Sequence, residues 1–246
     1  MDKAIYTAMS GASRTMFQQR LHANNLANVN THGFRADFAE ILAKNVDGQG
    51  LPTRVLTETV GTWSSEKAGN MTSTGRNLDV AIAGEGWLAV EDATGNESYT
   101  RGGQLHVTMD GQLVTGRGEP VLDQGGAAIV IPEYEQLHIG PDGTISVLGS
   151  GDPKSQPVTI GQLKLVKSET PLNKGTDGLF RADNNEPLNA DLTVKVVSGA
   201  LESSNVNAME EMVTFMSLGR QFEMQLKTIE TARQMAESGD RLIRGS

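Results

Sequence analysis

The sequence predicts an α+β fold, with a β-rich central domain inserted between N- and C-terminal α-helices that pair as a coiled-coil-like bundle. Three observations carry this reading. Apolar residues recur in alternating steps of three and four near both ends, the spacing of a helical seam. Between the ends the pattern changes to period two and short apolar runs, as strands require. Asp-Gly pairs at 110–111, 142–143 and 177–178 add hairpin turn chemistry to that middle stretch.

In chain order, the first seam runs Ile5, Met9, Ala12, Met16, Gln19, Ala23 and Leu26, and Asn28, Asn30 and Gly33 then supply residues that end helices. Ala and Gln make this a weak seam, so an ordinary surface helix fits the same spacing. Residues 1–45 are read as an N-terminal helical assembly segment. Residues 46–70, rich in Gly, Thr and Ser, lack clear patterning and read as a linker or extended strand. Residues 71–198 form the β-rich domain, with strands expected at 78–82, 87–90, 104–107, 127–131, 160–166 and 192–197. Residues 199–246 form the C-terminal helical assembly segment. Its stripe is Met212, Phe215, Gly219, Phe222, Leu226, Ile229 and Ala236, interrupted by Arg233 and set among good helix formers. Met209, Met212, Met216, Met224 and Met235 are half of the ten methionines. Such flexible, polarizable side chains suit an interface with varying neighbours, although core filling accounts for the stripe equally well. Isolated helices are marginal in water, and two helices alone leave other faces uncovered, so the pattern predicts partner subunits.

With 246 residues the chain can bury a real core. Its 28 glycines and 4% aromatic content favour many short strands and turns. Thirty acidic against 21 basic side chains, a formal charge of -9, argue against a broad nucleic-acid-binding face. The lack of cysteine removes disulfides, cysteine zinc sites and thiol catalysis together. No apolar run approaches the roughly 20 residues of a membrane helix. The first nine residues lack the basic start and apolar core of a cleavable signal. The expectation is a chain without membrane insertion, which leaves the cytoplasm, if at all, by a route that reads no such signal.

Motifs for chemistry are weak. Gly84-Glu85-Gly86-Trp87-Leu88-Ala89 fits a loose dinucleotide fingerprint, but strand-like alternation follows it where a helix is needed, so it reads as a turn. His22, His32, His106 and His138 are scattered without ligand spacing. Asp183-Asn184-Asn185-Glu186 resembles a calcium loop only in composition. Glu210 and Glu211 read as a solvated helix face. No catalytic, cofactor-binding or metal residue is assigned.

The string Leu21-His22-Ala23-Asn24-Asn25-Leu26-Ala27-Asn28-Val29-Asn30-Thr31-His32-Gly33-Phe34-Arg35 resembles the N-terminal signature of the bacterial flagellar axial proteins, the rod and hook family. Gly199-Ala200-Leu201-Glu202-Ser203-Ser204-Asn205-Val206-Asn207 is similar to that family's C-terminal block. Leu78-Asp79-Val80-Ala81-Ile82, Gly86-Trp87-Leu88, Tyr99-Thr100-Arg101 and Gly111-Gln112-Leu113-Val114-Thr115 match its central landmarks in order. The motif positions are Asn25, Leu26, Ala27, Asn28, Thr31, Gly33, Phe34, Leu201, Glu202, Ser204, Asn205 and Val206. His32 departs from the pattern, since relatives commonly place proline there. The Gly86-Trp87-Leu88 block and short middle resemble the proximal-rod type more than the distal-rod or hook type.

The resemblance implies a structural, non-enzymatic subunit without cofactor. It implies export through the flagellar type III apparatus and helical stacking with itself and with proximal and distal rod proteins, in the periplasmic rod of the basal body, to transmit torque for motility. On that reading Ile5, Met9, Met16, Leu26, Met212, Phe215, Phe222, Leu226 and Ile229 form the assembly interface. The alternatives are a distal-rod or hook-type subunit, or a β-rich module contacting peptidoglycan. A hydrolytic module would want paired carboxylates with sugar-stacking aromatics, whereas the two tryptophans and three tyrosines are scattered.

Overall fold

The structure, a computed structural model, describes residues 2–45, 55–149, 156–184 and 186–244. The chain forms two compact units, one of residues 1–29, 36–65 and 206–246, the other of residues 30–35 and 66–205.

The first unit is a pair of helices with a hairpin. Helix α1 (Asp2–Ala27) ends where the Asn28 amide turns back onto the carbonyls of Asn24 and Asn25. Strands β1 (Asp37–Asn45) and β2 (Val55–Ser64) pair antiparallel, with Asp37 opposite Ser64, Phe38 opposite Trp63 and a bulge between Glu40 and Ile41. The helical reading of residues 1–45 therefore stops at Ala27, and the span 46–70 contributes a strand; residues 46–54 lie outside the described residues. Ala, Glu and Leu in β1 favour helix in isolation, but the Thr- and Val-bearing β2 gives this stretch a ladder, and pairing overrides intrinsic preference. The C-terminal helix, α2 (Ala208–Arg244), is capped by Asn207, whose Oδ1 accepts from the amides of Met209 at 3.1 Å and Glu210 at 3.5 Å. Glu210 and Glu211 in its first turn suit the positive end of the helix dipole.

The two helices run antiparallel, with Gly11 against Gln225, Gln19 against Gly219 and His22 against Glu211. A Cβ added at Gly11 would stand 3.1 Å from Gln225 Nε2. The seam thus takes small and polar members of the expected stripes, Gln19 and Gly219, while the stripes' large side chains Met9, Met16, Met212 and Leu226 stay exposed. Among the described residues of this unit, the buried apolar side chains are Ala12 and Leu218.

The second unit carries fourteen short strands: β3 (Met71–Ser73), β4 (Val80–Ala83), β5 (Trp87–Glu91), β6 (Glu97–Thr100), β7 (Leu105–Val107), β8 (Leu113–Thr115), β9 (Gln136–Ile139), β10 (Thr144–Leu148), β11 (Val158–Gln162), β12 (Leu165–Val166), β13 (Asn173–Lys174), β14 (Phe180–Arg181), β15 (Lys195–Ser198) and β16 (Ala200–Glu202). One sheet runs β12-β5-β6-β14-β13 and another β11-β10-β9, while β15-β4, β16-β3 and β7-β8 are pairs. Strand β5 shows why period two matters. Leu88 and Val90 enter an aliphatic core with Val80, Leu105, Ile145 and Val196, whereas Ala89 faces Tyr99, Val166 and Phe180 on the other side. Gly84 and Gly86, with φ of 81° and 143°, make the turn from β4 into β5, so the dinucleotide pattern is a strand connection.

The expected strand at 127–131 forms only isolated bridges, because this region obeys a pseudo-threefold rule. Thr108, Thr115 and Asp123 each begin the same five-residue turn. The side-chain oxygen of each accepts from the amide four residues on, in Gln112, Glu119 and Ala127, at 2.9–3.3 Å. In each turn the fourth residue is a left-handed glycine, Gly111, Gly118 or Gly126. The legs that follow close a ring: Leu113 donates to Ile129, Ile129 to Val121 and Val121 to Leu113, at 2.9–3.0 Å. Their three side chains are all buried in the aliphatic core.

Candidate functional site

Motifs that are far apart in sequence converge on one buried carboxylate in the β-rich unit. Glu202 Oε2 accepts from Arg101 Nε at 2.8 Å and Nη2 at 2.7 Å, while Oε1 accepts from Arg35 Nη2 at 2.9 Å and the Gly69 amide at 2.9 Å. Glu202, Arg101 and Arg35 are all at most 4% exposed. Arg101 also donates to the carbonyls of Gly84 at 2.8 Å and Gly86 at 2.6 Å, so the same guanidinium ties down the β4–β5 turn. Arg35 donates to the Lys67 carbonyl, and its Nε has no partner among the described residues. Burial pulls the Arg35 guanidinium below the ordinary arginine value; Glu202 opposes that shift and Arg101 adds to it. Around this cluster the Gly33 amide donates to the Glu202 carbonyl at 2.8 Å, the Asn205 amide donates to the Phe34 carbonyl at 3.3 Å, and the Lys174 ammonium lies 3.8 Å from the centre of the Phe34 ring. Gly33 has φ +70°, and a Cβ there would collide with the Arg101 carbonyl, so glycine is required twice over.

Thus Gly33, Phe34, Glu202 and Asn205 of the motif positions belong to one clasp, and the neighbouring strand residue Leu201 is buried. Thr31 accepts from the Phe34 amide within the same loop. Ser204 and Val206 are half-buried. Asn25, Leu26, Ala27 and Asn28 belong instead to the end of α1, where Asn25 is buried and Ala27 exposed. Sequence reading assigned Arg35 and Arg101 no role, although each stands at the end of a matched motif and carries the charge that Glu202 lacks.

In the helix–hairpin unit, Ile5, Leu26, Phe215, Phe222 and Ile229 are half-buried. Met9, Met16, Met212 and Leu226 are exposed by 54%, 44%, 47% and 49%. Glu211 is a correction to the solvated-face reading. Its side chain is 15% exposed and receives His22 Nδ1 at 2.5 Å and Asn25 Nδ2 at 3.2 Å, while Glu210 stays exposed. Twenty large apolar side chains stand exposed among the described residues, and fourteen of them lie in this smaller unit. No helix of the described residues is long and apolar enough to cross a membrane.

Comparison with known proteins matches three stretches of the chain to three family descriptions. Residues 5–35 match the flagella basal body rod protein family, residues 81–147 the flagellar hook protein FlgE/F/G D1 domain, and residues 197–242 the flagellar basal body rod FlgEFG protein C-terminal family. The chain is 44% identical to the flagellar basal-body rod protein FlgF of Escherichia coli (strain K12) over 99% of both chains. It is 42% identical to that of Salmonella typhimurium (strain LT2), again over 99% of both. It is 31% identical to the flagellar basal-body rod protein FlgG of Buchnera aphidicola subsp. Schizaphis graminum, over 96% of this chain and 98% of that one.

Proposed function

The chain belongs to the FlgE/F/G family of flagellar rod and hook proteins, and from that membership we propose how its surfaces serve assembly. It is a structural subunit of the rod in the bacterial flagellar basal body and assembles with other axial proteins. The FlgF-like, proximal-rod reading is favoured over a distal-rod or hook-type one. The finer reading is ours. The chain reaches the rod through the flagellar type III apparatus, stacks with itself and with proximal and distal rod proteins, and transmits torque without catalysing a reaction.

The observation that carries this reading is the crowding of exposed apolar side chains onto a unit with almost no core of its own. A head-to-tail contact that does not close on itself grows a helical filament. In it, Met9, Met16, Met212 and Leu226 pack against neighbouring subunits. Ile5, Leu26, Phe215, Phe222 and Ile229, at the margin of the α1–α2 seam, pack both within and between subunits. Each large apolar side chain so buried contributes about 1.5–3 kcal/mol before ordering costs.

The test is complementation of a strain lacking this chain with Met212→Asp and Leu226→Asp. Both residues are exposed, so thermal melting of the isolated protein should stay within about 0.5 kcal/mol of the parent, while basal bodies end without a complete rod and cells do not swim. Complete rods and normal swimming with both variants would overturn the reading.

A further inference from the structure

Asn25 is the most deeply buried polar residue among the described residues of the helix–hairpin unit, at 1% exposure, and its Oδ1 and both Nδ2 hydrogens are paired. Its Oδ1 accepts from the Asp37 amide at 2.9 Å, and its Nδ2 donates to the Asp37 carbonyl at 2.8 Å and to Glu211 Oε1 at 3.2 Å. The first two bonds exchange donor and acceptor with one backbone residue, as neighbouring strands do in a hydrogen-bonded antiparallel pair. Asn25 therefore stands in for a third strand at the point where β1 begins. The same residue is the base of the hairpin: Asp37 pairs with Ser64, whose Oγ donates to Asp37 Oδ1 at 2.7 Å, and Ser65 closes the base by donating to the Ala36 carbonyl at 2.8 Å.

The third bond leads to the other helix. The remaining hydrogen of the Asn25 amide goes to Glu211, on the first turn of α2, and the second oxygen of that carboxylate meets His22. A carboxylate acceptor strengthens such a bond and fixes the plane of the amide that donates to it.

We propose that Asn25 is a positioning residue that makes folding of the β1–β2 hairpin conditional on docking of α2 against α1. With α2 in place, Glu211 holds the Asn25 amide in the one orientation that satisfies both backbone groups of Asp37. With α2 withdrawn, the amide loses that anchor and β1 loses its side-chain strand partner. Both terminal segments and the hairpin thus become ordered together, whatever the assembled chain goes on to do.

Hydrogen exchange of the full chain, read by mass spectrometry, tests the coupling. Glu211→Ala should speed exchange of amides in 37–45 and 55–64 about tenfold, the scale of one lost bond to a charged acceptor, while amides in 113–131 keep their protection and show that the β-rich unit is folded. Glu211→Gln, whose side-chain carbonyl still accepts from Asn25, should restore hairpin exchange to within about twofold of the parent. Unchanged hairpin exchange in Glu211→Ala would overturn the proposal. So would an equal acceleration in Glu211→Gln, which would mark a general loosening of the unit rather than transmission through the Asn25 bond.

Discussion

Glu202 serves two buried guanidinium groups, and taking it away leaves both cations without their carboxylate in a site closed to water. Removing one partner of a buried ion pair typically costs about 3–5 kcal/mol. Glu202→Ala is therefore predicted to lower the urea-unfolding free energy of the chain by about that much, where an exposed carboxylate such as Glu210 would change it little. A second residue-scale prediction comes from the aspartates of the turns. For Asp92, burial alone would raise the carboxyl, but the Thr94 hydroxyl, the Arg181 guanidinium and the amides of Asn96 and Thr94 outweigh it and hold the group far below its usual range. Asp177, beside Arg181, and Asp142 and Asp191, each bonded to a threonine, shift the same way. A carboxyl depressed in the folded state binds its proton later than in the unfolded chain. Its stabilisation is whole above the ordinary aspartate value of about 4 and drains away as pH falls towards the folded value. The urea midpoint should hold level from pH 7 to about 5 and decline below about 4; a midpoint that rises on acidification would contradict the assignment.

Elements show which signals a sequence carries. Both long helices were legible because their apolar spacing and capping residues persist over many turns, and the three Asp-Gly pairs marked turns because only glycine relaxes at φ near +80°. The pairing of the two helices is legible, and Gln19 and Gly219 lie on the expected stripes, but which stripe residues meet is not. Met9, Met16, Met212 and Leu226 dominate a hydrophobic stripe, yet α1 and α2 approach on Gly11, Gln19 and Gly219, because small residues allow close packing and Gln225, His22 and Glu211 supply polar partners across it. The hairpin β1–β2 was hidden by helix-favouring residues in one strand, and pairing is a property of two segments that neither reveals alone. The pseudo-threefold ring is not legible in the sequence because its repeat is only seven or eight residues long and is held by one side-chain oxygen and one glycine per turn. Of the clasp, the motif positions were found through resemblance, while its chemistry, one acid between Arg35 and Arg101, needed the fold that brings residues 35, 101 and 202 together.

At the scale of the whole molecule, the two units divide their labour. Among the described residues, every buried Leu, Ile and Val except Leu218 lies in the β-rich unit, most of them in one continuous core with a smaller aromatic-bearing cluster beside it. The helix–hairpin unit holds two long helices and a two-stranded hairpin, yet its large apolar side chains mostly face outward. On the proposed reading the β-rich unit is the folded body of the subunit and the helix–hairpin unit supplies the surface that neighbouring subunits cover. The absence of cysteine from the natural sequence makes the decisive measurement clean, because a single introduced thiol is the only one to react. Cysteine placed at 212 or at 226 should react rapidly with a maleimide in dilute purified protein and become protected in isolated basal bodies. Equal reactivity at both positions in the free chain and in the assembled rod would contradict the account.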